Sequence, residues 1–93
     1  MKALAEIHLV PLGVGTSVRT QVKRAHDLIL QSGLITESHA YGTNVEGELD
    51  AILDLVRSLH ETLHEEGVPR IATTLKLGTR TDKDATLAGK KLT

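Results

Sequence analysis

The segment Gly42-Thr43-Asn44-Val45-Glu46-Gly47 sets a hydroxyl and a carboxylate between two glycines. Glycine permits close backbone approach. Thr donates or accepts a hydrogen bond, and Glu accepts from an amine or amidine. A plainer reading of the same residues is a hairpin turn followed by acids at a helix start. Glu6 and His8 stand two apart, on one face of any strand. They lack a third partner for a metal and a nucleophile for acid–base work. A carboxylate at Glu6 could instead neutralise a cationic ligand, or pair with Lys76 on an adjacent strand. Gly13-Val14-Gly15-Thr16-Ser17 is a glycine-containing loop opening onto a helix, where free N–H groups and the helix dipole can receive an anion. It is neither a dinucleotide fingerprint nor a Walker loop, since Val18 stands where a last glycine would be and no Gly-Lys-Ser/Thr occurs. An ordinary capped turn is the simpler account.

His60-Glu61-Thr62-Leu63-His64 fits H-E-x-x-H, in which two histidines one turn apart hold zinc and the Glu polarises water. The chain offers no obvious third ligand, because the helix should stop at Gly67. A half-buried, solvated helix edge is the simpler expectation, and we expect no metal site. Thr73-Thr74-Leu75-Lys76 is polar for a central strand, and cross-strand Thr hydrogen bonding would explain it. His26 and His39 read as structural histidines. Arg80, Asp82 and Lys83 could tie a terminal helix to a neighbouring subunit, or be solvated.

The elements that must position these residues follow from periodicity. Lys2 to Val10 alternates, with Ala3, Ala5, Ile7 and Leu9 on one face and Leu4, Glu6, His8 and Val10 on the other. Pro11 to Gly15 should break this strand. Thr16 or Ser17 can cap a helix with Val18, Val22, Ala25, Leu28 and Ile29 toward the sheet and Gly33 at its end. Leu34 to Tyr41 reads as a second strand, Gly42-Thr43-Asn44 as a tight turn, and Val45 as the start of a short third strand. A second helix follows, with Leu49, Ile52, Leu53, Val56, Leu59 and Leu63 as its apolar stripe. Val68 to Leu77 reads as a fourth strand and Asp82 to Leu92 as a short terminal helix.

The order β-α-β-β-α-β predicts an α+β, ferredoxin-like sandwich over residues 1–93, one domain. Both helices would lie on one face of a four-stranded antiparallel sheet. The other face would stay open, with Glu6, His8, Thr74 and Lys76 on it among apolar residues. Such a face is suited to a partner sheet or a ligand.

Composition narrows the function classes. A chain of 93 residues buries about 60–65% of its unfolded surface. Phe, Trp and Cys are absent, and Tyr41 is the only aromatic. Cysteine chemistry, disulfides and iron–sulfur clusters are thereby excluded. A net charge of −1 and the missing aromatics argue against nucleic acid. With no apolar run of roughly 18 residues, no membrane partner and a cytoplasmic location are expected.

Taken in order, Ala5-Glu6-Ile7-His8-Leu9-Val10-Pro11-Leu12-Gly13, Gly15-Thr16-Ser17, Tyr41-Gly42-Thr43-Asn44-Val45-Glu46-Gly47, Thr73-Thr74-Leu75-Lys76 and Arg80-Thr81-Asp82-Lys83 resemble the small thiamine-binding family, also known as UPF0045 or DUF77. The likeness spans nearly the whole chain. It implies a ferredoxin-like fold, homo-oligomers (usually tetramers or dimers), and binding of thiamine or its hydroxymethylpyrimidine part without turnover or cofactor. Carried over by position, the ligand-binding residues would be Glu6, Thr16, Ser17, Gly42, Thr43, Glu46 and Thr74. A structural or regulatory oligomeric module without ligand, and a zinc site through His60 and His64, are the alternatives.

Overall fold

The computed structural model describes residues 1–15 and 18–90. Thr16 and Ser17, expected both as helix cap and as ligand contacts, lie outside the described residues. So do Lys91, Leu92 and Thr93, the end of the expected terminal helix.

The chain runs β1 (Lys2–Leu12), α1 (Arg19–Leu30), β2 (Ile35–His39), β3 (Gly42–Glu48), α2 (Leu49–Glu65), β4 (Arg70–Thr79) and α3 (Leu87–Lys90). The four strands form one antiparallel sheet in the order β2-β3-β1-β4. Sheet and helices have the expected ferredoxin-like arrangement.

Period two in β1 decides the sheet's polarity. Ala3, Ala5, Ile7 and Pro11 are buried on the face that α1 and α2 cover, while Leu4, Glu6, His8 and Val10 face the other way. Without Phe or Trp, the core is aliphatic, and Ile7, Val45, Ile52, Leu59 and Leu63 are its largest fully buried side chains alongside Pro11. Each such burial contributes about 1.5–3 kcal/mol. On α2 the buried stripe is Ile52, Leu55, Leu59 and Leu63. Leu53, expected inward, is 44% exposed, and Leu55 takes the inward place. On α1, Ala25 and Ile29 are buried, whereas Val22 is exposed.

The terminal helix, expected from Asp82, begins at Leu87, and β2 is shorter than expected, at Ile35–His39. Two further boundaries differ from expectation and bear on the site. β1 does not break at Pro11 but continues to Leu12 against β4. Pairing with β3 ends at Ile7↔Thr43, so beyond that point β1 is an edge on that side, where a residue without an N–H is tolerated. The hairpin turn is Ala40-Tyr41, and Gly42-Thr43-Asn44 is not a turn but the start of β3. Gly42 is in the strand for a packing reason. A Cβ there would lie 2.5 Å from the backbone oxygen of Ile7, so β3 approaches β1 only because the side chain is missing.

Helix ends are set locally. Gly67, at φ +100°, closes α2: its N–H donates to His64 O at 3.1 Å, and Val68 N–H donates to Leu63 O at 3.0 Å. This is the Schellman pattern, with Val68 buried beside Leu63. The α1 end is capped at Gln31, and Gly33 follows two residues later at φ +83°. Arg24 of α1 holds Glu66 through both carboxylate oxygens, at 2.8–3.1 Å, and this bond holds the Glu66 carboxyl below its ordinary range.

Gly42→Ala should therefore destabilise the fold by about 1–3 kcal/mol, the cost of forcing a methyl group against a backbone carbonyl. Urea unfolding would measure it. A midpoint equal to that of the parent chain would refute the packing account.

Candidate functional site

The face without helices collects polar residues by register alone. Glu37 of β2 stands opposite Asn44 of β3, Asn44 opposite Glu6 of β1, and Glu6 opposite Lys76 of β4. One polar row thus crosses all four strands. Odd and even positions of each strand are separated by the pleat, so the same register sends Thr43 to the helix side.

Hydrogen bonds tie the row together. His39, at the end of β2, brings Nε2 to 3.2 Å from Glu6 Oε2 and 3.2 Å from Asn44 Oδ1. Its Nδ1 lies 3.2 Å from the Tyr41 backbone nitrogen. A backbone N–H can only donate, so Nδ1 accepts. In this arrangement the ring proton is on Nε2, aimed at the carboxylate and the amide oxygen. Asn44 Nδ2 in turn donates to Glu37 Oε1 at 3.4 Å. Glu6 and His39 side chains are both about one-third exposed, at 39% and 31%.

After β4 the chain turns back over this face as an arm, residues 80–90, and the face is not left wholly open. Ala85 of the arm is buried. Glu46 tethers it: Oε1 accepts the Leu87 backbone N–H at 2.7 Å. Arg80 donates to Asp82 at 2.6 Å and holds that carboxyl below its usual range. Between arm and sheet lies a cleft of about 710 Å³, with Leu4, Glu6, Asn44 and Lys76 among its sheet residues and Ala85 and Leu87 among those of the arm. This volume is in the range of small-molecule sites. A smaller groove of about 470 Å³ runs between α1 and α2, past Leu28, Leu55 and Leu59.

Of the expected site residues, Glu6 lines the cleft. Glu46 and Gly42 share its face, Glu46 bound to the arm and Gly42 beside His39 in register. Thr74 is exposed on the same face, opposite His8. Thr43 is not brought to them; it is buried at 5% exposure on the helix side, opposite Ile7. The pairing of Asn44 and His39 around Glu6 is not legible from the sequence, where Gly42-Thr43-Asn44 has the composition of a turn; the alternation of Asn44 with Glu46 and of His39 with Glu37 is its one local signal. Lys76, expected as a partner of Glu6, is its cross-strand neighbour, yet the carboxylate contacts His39.

The H-E-x-x-H histidines are engaged elsewhere. His60 Nε2 lies 2.8 Å from Thr73 Oγ1, and His64 Nδ1 lies 2.8 Å from the Val68 carbonyl. Among the described residues, no three His, Cys, Asp or Glu side chains gather as a metal site. His26 meets Ser38 Oγ at 3.4 Å. Among the described residues, no helix is long and apolar enough to cross a membrane.

Comparison with known proteins points in one direction. Residues 5–92 match the family described as thiamine-binding protein. A UPF0045 protein of Synechocystis is 40% identical over 90 residues, covering 97% of this chain and 74% of its own. A UPF0045 protein of Eremothecium gossypii is 41% identical over 91 residues, covering 97% of this chain and 87% of the relative. The solved structure of a Methanocaldococcus jannaschii protein superimposes with a TM-score of 0.85 at 38% identity, covering 96% of this chain and 91% of the other. A Thermotoga maritima protein, named for thiamine biosynthesis/salvage, superimposes with a TM-score of 0.86 at 27% identity, covering 97% and 95%.

The Glu46 tether predicts that Glu46→Ala will loosen the arm while sparing the sheet. Hydrogen exchange at the Leu87 amide should accelerate by about tenfold or more, with a global stability loss of about 1 kcal/mol. Unchanged protection at Leu87 would show that the arm is held by something else.

Proposed function

The chain belongs to the thiamine-binding protein family, and from that premise we propose that it binds thiamine or a related hydroxymethylpyrimidine compound without chemical turnover. The observation that carries this reading is the cleft of about 710 Å³ with the Glu6 carboxylate in its lining. Thiamine carries a permanent thiazolium charge and an aminopyrimidine. Glu6 offsets the charge, and Asn44 offers an amide to the pyrimidine. Leu4, Ala85 and Leu87 supply apolar contact for the rings. Among the described residues, no hydroxyl of the lining is hydrogen-bonded to a carboxylate or an imidazole, which favours binding over catalysis.

The protein acts in this reading as a cytoplasmic homo-oligomer, a tetramer. Two features support assembly. β2 and β4 are the outer strands of the sheet, each flanked by another strand on one side. Ile35, 59% exposed, and Leu12, 37% exposed, lie on the sheet face away from the helices.

Titration calorimetry with thiamine, hydroxymethylpyrimidine and thiamine phosphate tests the ligand, and light scattering after gel filtration tests the assembly. Binding should be detectable with at least one of the three, and Glu6→Gln should weaken it by about tenfold, the scale of one charge-assisted contact. Neither heat nor a thermal shift with any of them would refute the reading.

A further inference from the structure

His39 lies behind the carboxylate that the proposed ligand would meet, and its hydrogen bonds define which nitrogen holds the proton. Nδ1 accepts from Tyr41 N–H, and Nε2 donates toward Glu6 Oε2 and Asn44 Oδ1, each at 3.2 Å. The ring is neutral in this arrangement, so Glu6 keeps its full charge for the cleft. A second proton would have to go on Nδ1, where it would point at the Tyr41 N–H, a donor facing a donor. The resulting imidazolium would also pair with Glu6 and cancel the charge offered to a ligand. Histidine is the side chain that changes charge near pH 6.5.

We propose that His39 is a positioning residue whose protonation turns its hydrogen bond to Glu6 into an ion pair, so that capture of a cationic ligand weakens on acidification. The proposal rests on the reading that the cleft binds a cation such as thiamine.

The groups around His39 allow this assignment. Glu37 is on its own strand and accepts from Asn44. On β3 stand Asn44 itself and Glu46, the latter occupied by Leu87 N–H. On β1 stand Glu6 and His8, and on β4 Lys76 lies beyond Glu6. The arm brings Arg80, Asp82, Lys83, Asp84 and Lys90 to the same cleft. Of all these, only His8 ordinarily titrates in the same range, and it is the control.

Thiamine is the probe, since its thiazolium charge does not depend on pH. Calorimetry at about pH 7.5 and about pH 5.5 brackets the ordinary histidine value. The parent chain and His8→Gln should both bind about five- to tenfold more weakly at the lower pH. His39→Gln keeps an N–H for Glu6 but cannot titrate, so it should bind equally at both. A pH dependence that survives in His39→Gln, or vanishes in His8→Gln, would overturn the proposal. Nitrogen NMR of the ligand-free protein tests the switch separately. The His39 ring should carry its proton on Nε2 at the higher pH, and the Tyr41 amide should shift as the ring titrates. A proton on Nδ1 at the higher pH would overturn the proposal whatever thiamine does. Absence of thiamine binding together with the expected NMR result would refute the cation-site reading, and with it the ligand half of the proposal, leaving only the proton switch on Glu6.

Discussion

The alternation of side chains along β1 is the constraint on which the rest of the molecule depends. β1 is the one strand hydrogen-bonded along both sides to long partners, β3 and β4. Ala3, Ala5 and Ile7 fill the floor under the helices, and Leu4 and Glu6 line the cleft on the opposite face. A slip of one residue would exchange the two sets, burying the Glu6 carboxylate among aliphatic side chains and stranding Ile7 in water. Core and candidate site are therefore specified by the same pairing. Gly42 belongs to this constraint, because the Ile7 carbonyl fills the space a side chain would need.

Two carboxylates of the open face, Glu6 and Glu46, divide the work. Glu6 is partly exposed and held by His39, which leaves it oriented yet accessible to the cleft. Glu46 is taken up by the Leu87 amide and converts a bare sheet face into a walled cleft. A flat polar face would offer a small cation little burial. With the arm in place, apolar walls and a carboxylate share one concave surface, the usual form of a small-molecule site. Arg80 and Asp82 neutralise each other at the start of the arm. The ion pair leaves the cleft's charge to Glu6, Asp84 and the lysines.

Much of this was legible in the chain itself. Period two in residues 2–10, period 3.6 in residues 49–63, and Gly67 before Pro69 are local signals, and the strands and helices follow them. The misplacements share one physical cause. Gly42-Thr43-Asn44 has the composition of a turn, but composition cannot report that the neighbouring backbone is 2.5 Å from a would-be Cβ. Pro11 likewise signals a break, yet it is tolerated because β3 has already ended beside it. Leu53 and Leu55 are equally apolar, and it is the packing of α2 on the sheet that buries Leu55 in line with Ile52, Leu59 and Leu63 and leaves Leu53 exposed.

The sequence by itself determined the element order, the polarity of β1 and the presence of Glu6 on a helix-free face, because each depends on repeats of two to four residues along the chain. Tertiary structure alone decided that Asn44 and His39 flank Glu6, that Thr43 faces the core, and that Glu46 holds the arm. Those facts depend on register between strands and on contacts as far apart as Glu46 and Leu87. Such separations leave no periodic trace, since the chain must fold before its distant segments share a distance at all.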